Sequence, residues 1–283
     1  MFKYLIFIGM LLFQLLSNRS CGPGQKQNPL FGAAARGDTT MIASLVLKGH
    51  DVDTRNQQER TPLMEAALAG QTDAVASLIQ RGADVNAHDR HNSTPLTLCA
   101  QYGHTAIAEL LMNAGADMNA VDDDRDTPVL MAALSGNVEL FEMLIKHGAD
   151  PDGINEKGLN TLHHAVNGGN PEMVRLLVER GLDVNTPTGY GRTPLLLAAL
   201  AGKPEVVTYL IERGADVNTP DNHGSTPLTI AAEYGNGEIV RILLTNDADT
   251  AAADLDGDTP LKLARMKGHS EVEQLLLDAG AQE

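Results

Sequence analysis

The sequence predicts an all-α solenoid, in which short helix-turn-helix units stack side by side and β-turn or hairpin loops join them. Three observations predict it. Segments of the Thr-Pro-Leu type begin at residues 61, 94, 127, 193, 226 and 259, always 33 residues or a multiple of 33 apart. Nine residues after each start stands a glycine: Gly37, Gly70, Gly103, Gly136, Gly169, Gly202, Gly235 and Gly268. Seventeen after stands a leucine: Leu45, Leu78, Leu111, Leu144, Leu177, Leu210, Leu243 and Leu276. The register includes Asn28-Pro29-Leu30 and Asn160-Thr161-Leu162, so eight units begin at 28, 61, 94, 127, 160, 193, 226 and 259 with no insertion or deletion. Internal repeats of this length are the signature of a stacked architecture.

The elements of one unit follow in order. Thr61 caps a first helix that opens with Pro62, where a missing N–H costs nothing. Ala66 and Ala67 keep that helix thin, so a neighbour can approach. Gly70 permits the turn into a second helix, which carries Ala74, Val75, Leu78 and Ile79 at helical spacing. Gly82 ends it in the left-handed conformation. Asp247 stands at the equivalent place in a later unit, and Asp visits that region more readily than most residues. A polar turn, ADVNAHDRHNST at 83–94, leads into the next unit. Helices of about ten residues are unstable alone in water, so the core must come from stacking.

The unit resembles the ankyrin repeat, with its TPL start, two helices and GADVN ending. Residues 82–86 and 214–218 match that ending in full. The resemblance covers 28–283 and implies an ankyrin-repeat α-solenoid that binds proteins through its turn tips and the concave face of its first helices. One departure matters. The family's usual His after TPL is kept only at His163; the other units carry Phe31, Met64, Thr97, Leu130, Leu196, Thr229 and Lys262 there. The last unit reads as a terminal cap, because Glu273 and Arg265 replace the apolar residues of the other units.

Two ten-residue segments, TPLMEAALAG at 61–70 and TPLLLAALAG at 193–202, nearly coincide. So do TPLTLCAQYG at 94–103 and TPLTIAAEYG at 226–235. Both pairs lie four periods apart, as copying a block of whole repeats would leave them.

The first twenty residues differ in kind. Lys3 precedes an apolar run from Tyr4 to Leu16, broken only by Gly9 and Gln14, and no acidic residue occurs before Asp38. That pattern predicts a secretory signal peptide at 1–20, because a membrane-spanning helix needs about 20 apolar residues. Cys21 follows at once and resembles the lipidated cysteine of bacterial lipoproteins, although Asn18 and Arg19 depart from that motif. Residues 21–27 then read as a tether to the membrane through Cys21, or as an ordinary cleavage region with an incidental cysteine. The expected location is exported, periplasmic or membrane-anchored in a bacterium. An uncleaved signal anchor on a cytosolic module is the alternative.

Composition narrows the function. The formal net charge is −16, from 37 acidic and 21 basic side chains. Such a surface repels phosphate backbones, which argues against a nucleic-acid partner. Only two cysteines, Cys21 and Cys99, occur, too few for a disulfide framework. Cys99 stands at a core alanine position and reads as a buried thiol. Adjacent His163 and His164 point about 100° apart on a helix, poor geometry for one metal. DDDRD at 122–126 and DLDGD at 254–258 resemble calcium-loop fragments, but the twelfth positions are Ala133 and Arg265 and not the bidentate Glu an EF-hand needs. They read as polar turns. No catalytic residue, metal site or cofactor is expected.

The candidate partner-binding residues lie in two rows. Near the end of the first helices, Leu68, Tyr102, Leu134, Leu200 and Tyr234 form an apolar stripe. At the turn tips stand His91, Arg125, Lys157, Tyr190 and His223. The sequence therefore reads as a monomeric, non-enzymatic binding module for a protein partner, an exported scaffold or inhibitor. The alternative is an enzyme or metal-dependent stress-protection protein on the same scaffold, for which His163 and His164 would be the titratable centre.

Overall fold

The computed structural model describes residues 28–282, so the signal segment, Cys21 and its tether lie outside the described residues. Among the described residues there are sixteen α-helices and no strand. They fall into two compact units, one up to Ala83 and one from Asp84 onward. The first holds α1 (Pro29–Arg36), α2 (Thr39–Leu47), α3 (Pro62–Leu68) and α4 (Thr72–Gln80). The second opens with α5 (Pro95–Gln101), α6 (Thr105–Asn113), α7 (Pro128–Ser135) and α8 (Val138–Lys146). It continues through α9 (Thr161–Gly168), α10 (Pro171–Glu179), α11 (Pro194–Ala201) and α12 (Pro204–Glu212). It ends with α13 (Pro227–Glu233), α14 (Gly237–Leu244), α15 (Pro260–Lys267) and α16 (Ser270–Asp278).

The helices are seven to nine residues long, shorter than the ten expected. The stop signals explain it. Gly136 at φ 72° ends α7 after two turns, and its N–H satisfies the carbonyl of Ala133. Starts are equally defined: Thr226 sits in extended conformation, accepts the N–H of Thr229 at 3.2 Å, and hands over to Pro227. Thr226→Ala should cost about 1 kcal/mol, because the buried Thr229 N–H loses its acceptor; a urea midpoint measures it.

The leucine column is the core. In the second unit Leu111, Leu144, Leu177, Leu210, Leu243 and Leu276 are all buried. Thin alanine-rich first helices pack closely: Ala132, Ala133, Ala198 and Ala199 are fully buried. The terminal-cap reading also gains a contact, since Arg265 Nε donates to Glu273 Oε1 at 2.8 Å. The two polar departures of the last repeat pair with each other.

The turn segments form a third layer. Asp122 Oδ1 accepts the N–H groups of Asp124 and Asp126, at 3.0 and 2.8 Å. Asp254 does the same for Asp256 and Asp258. The acidic fragments thus spend these oxygens on shaping turns, as the sequence suggests. Single backbone bonds link successive tips, Asp123 N to His91 O and Leu255 N to His223 O among them.

Candidate protein-interaction surface

In the second unit, the row at the ends of the first helices contains Tyr102, Leu134, Leu200 and Tyr234. Tyr102 and Tyr234 are exposed, at 38% and 42%. Leu134 and Leu200 are half-buried, as is Leu68 in the first unit. The two copied tyrosines are therefore the exposed part of the stripe, and each leucine also serves packing. Tyr102 stacks on His104, with ring centroids 6.3 Å apart.

All five tip residues, His91, Arg125, Lys157, Tyr190 and His223, are exposed. Their presentation is fixed from below. Buried Asp89 accepts the N–H of His91 at 2.9 Å and of Ser93 at 3.0 Å. Buried Asp221 repeats this with His223 and Ser225, at 2.9 and 3.1 Å. Lys157 Nζ lies 2.8 Å from an Asp124 carboxylate, whose hydrogen bond raises the lysine above its ordinary range. Arg125 occupies the left-handed region at φ 63°, a conformation that glycine supplies at the later tips. The result is a set of reachable cationic and aromatic groups on a strongly acidic protein.

The histidine pair is engaged elsewhere. His163 Nδ1 accepts the N–H of Asn160, and Asn160 accepts the N–H of His163, a reciprocal cap at the start of α9. Its Nε2 donates to Thr186 O at 3.0 Å. His164 Nε2 instead donates to Asp126 Oδ1 at 2.9 Å. Burial holds both imidazoles down, to about 4 for His163 and about 3 for His164, and pushes Asp126 up to about 6. Among the described residues no group of three His, Cys, Asp or Glu side chains could hold a metal ion. Cys99 is buried, donates to Leu96 O, and has its thiol pushed far up by burial.

Family models described as ankyrin repeats in three copies match residues 7–89, 30–122, 78–155 and 129–221. Further ankyrin models match 210–264, described as many copies, and 256–282, described as a single repeat. The chain belongs to the ankyrin-repeat family. No curated protein matches it. Ankyrin repeats are generally protein–protein interaction modules, which agrees with a surface of aromatic and cationic side chains on fixed turns. Among the described residues of this ankyrin array, no helix is long and apolar enough to cross a membrane.

Sequence reasoning missed two buried features of the array. One is the Asp126–His164 bond, between residues 38 apart. A partial signal existed, because the other repeats of the second unit carry Leu98, Met131, Leu197, Ile230 and Leu263 where His164 stands. The other is Tyr209, whose ring lies beneath both Arg175 and Arg213, at 5.7 and 4.9 Å from its centroid. Nothing in the period marks that place.

Proposed function

We propose that this ankyrin-repeat chain is a monomeric binding module for a protein partner, exported as a scaffold or inhibitor and tethered through Cys21. The observation that carries the binding reading is the pair Tyr102 and Tyr234, exposed aromatic side chains at equivalent places in two copied repeats. Packing does not require an aromatic there, since the same position holds Ser135, Gly168 and Ala201 in other repeats of the second unit. Exposed Tyr is well suited to interfaces because it combines a large apolar face with a hydroxyl. The tips with His91, Lys157, Tyr190 and His223 extend that surface. Export rests on the N-terminal basic residue and apolar run, and tethering on Cys21 directly after it.

In-cell crosslinking tests the binding face. The wild type is compared with Tyr102→Glu/Tyr234→Glu and with Leu134→Glu/Leu200→Glu. A protein recovered with the wild type and lost with the tyrosine variant is the expected result, with thermal stability of that variant unchanged within about 0.5 kcal/mol because both sites are at the surface. The leucine variant should lose both the partner and stability. Equal recovery with wild type and tyrosine variant would move the site to the tips, and no specific recovery would end the binding reading. Palmitate incorporation abolished by Cys21→Ala tests the tether, and none in the wild type refutes it.

A further inference from the structure

The joint between residues 127–159 and residues 160–192 lacks a fastening that most other joints of the second unit have. At three of those joints a ladder of asparagine side chains fastens one repeat to the next, each with two bonds; at a fourth Asn119 only accepts the N–H of Asp150, at 3.4 Å, and the last joint has Ala251 at that place. Asn185 Oδ1 accepts the N–H of Asp216 at 2.9 Å, and its Nδ2 donates to Gly214 O at 3.0 Å. Asn218 does the same with Asp249 and Asp247, and Asn86 with Asp117 and Gly115. At this joint the ladder position is Asp152. A carboxylate has no N–H to donate. Among the described residues no hydrogen bond runs from its side chain to the following repeat.

The helices pack unevenly at this joint. First helices α7 and α9 pack extensively, as α5 and α7 do at the preceding joint, whereas second helices α8 and α10 touch little, as α6 and α8 do there. Gly168 marks the close side, since a Cβ there would run into the carbonyl oxygen of Leu134. On the open side, Arg180 reaches across to Glu142 and lies over the Phe141 ring. Asn170 Nδ2 still donates to Gly136 O at 3.0 Å. The joint is thus a wedge, tight along the first helices and loose along the second.

The joint also holds a polar network between α9 and the turns before it. His164 donates to Asp126, and Asn155 Nδ2 donates to the same carboxylate oxygen at 2.9 Å. His164 Nδ1 is buried and has no partner. His163, beside it, uses Nδ1 as the acceptor of the reciprocal cap. Neither ring can take a second proton in place: on His163 the proton would destroy the cap, and on His164 it would make a buried charged N–H without an acceptor. We propose that this joint is an acid-sensitive hinge, closed while both imidazoles are neutral and opened when the loosened α9 lets them take up protons.

The surroundings do not cancel the effect. The helices packed on α9 from either side, α7 and α11, carry no ionisable side chain. Those of α10, Glu172, Arg175 and Glu179, are exposed. The charged groups near the pair come from the turns: Asp122, Asp124, Asp126 and Lys157. Asp126 partly opposes opening, because the closed state keeps a proton on it more readily than water does. Two protons gained on the histidines against one released from Asp126 leave a net uptake of one on opening. The hinge also lies between the copied repeats that carry Tyr102 and Tyr234, so opening would change their spacing whatever they bind.

Amide hydrogen exchange on the full chain tests it, with protection factors compared at pH 7 and pH 5. One net proton predicts about a tenfold change in opening per pH unit. Protection across residues 148–168 should therefore fall on going to pH 5, while α13 and α14 change little. The variant His163→Thr/His164→Leu copies Thr97-Leu98 of an ordinary repeat and should remove the fall, leaving Asp126 to raise protection toward pH 5. Asp152→Asn restores a ladder donor and should raise protection at both pH values. A response spread evenly over the array, or kept in the histidine double variant, would overturn the hinge. So would an Asp152→Asn variant no better protected than the wild type.

Discussion

Gly168→Ala should destabilise the second unit by about 2–3 kcal/mol, although alanine is the better helix former. Propensity alone would favour alanine by about 1 kcal/mol at a helical site. Here the added methyl meets the carbonyl oxygen of Leu134, which is main chain and cannot rotate aside as a side chain would. Relief requires α7 and α9 to separate, and that unpacks fully buried Ala132, Ala133, Ala165 and Val166. A clash with main chain lies at or above the upper end of the usual overpacking cost, about 3–4 kcal/mol, which leaves the stated loss after the propensity gain. The same position in the next repeat is Ala201, so the fold does not demand glycine there in general. Ala201→Gly is the matched control and should cost only about 1 kcal/mol, through backbone entropy. Urea unfolding followed by a probe in residues 127–192 separates the two. Equal losses would mean that α7 and α9 move apart freely.

Much of this fold could be read before any coordinates. Thr226 and Pro227 define a helix start through local chemistry, and Gly136 defines an end through a backbone region that side chains disfavour. Such signals act within a few residues, so they survive in a single sequence. His163 was legible for the same reason, because its cap reaches only to Asn160. The pairing of Arg265 with Glu273 was foreshadowed by two apolar positions turning polar together. The candidate surface was half legible. The period located the row of Tyr102, Leu134, Leu200 and Tyr234, but partial burial of the two leucines depends on neighbouring repeats.

The special joint was not legible, and the reason is physical. The separation of α8 from α10 depends on how side chains from different repeats fill one gap, including Phe141 and Arg180. The period says which positions face each other and nothing about how closely. Asp152 in place of asparagine was visible in the sequence, yet its meaning required seeing what Asn185 and Asn218 do at the same place. Likewise Asp126 looked like one more acidic tip residue. Its side chain is only 13% exposed, which separates it from Asp123 and Asp124 in the same turn.

Between pH 7 and pH 5 the second unit should lose about 2–3 kcal/mol of stability, before ordinary carboxylates begin to titrate. The sign follows from three groups with large shifts, while Asp122, also raised by burial, acts in the sense of Asp126 and more weakly. His163 is held down to about 4 and His164 to about 3, against an ordinary value of 6.5, so the unfolded chain takes up both protons first. Each contributes stability that is present above pH 6.5 and lost as the pH falls toward the folded value. Asp126 works the other way: raised to about 6, it takes up a proton in the folded state that the unfolded state accepts only near 3.8. Over this window each histidine costs just under 2 kcal/mol and Asp126 returns somewhat more than 1, on the order of the net loss given. Burial is the leading cause of all three shifts, so salt should change the result little. His163→Thr removes one of the two proton acceptors and should cut the loss to under about 1 kcal/mol. Asp126→Asn removes the compensating group and should deepen it to about 4 kcal/mol. The opposite ordering of those two variants would mean that Asp126, and not the histidines, controls the acid response.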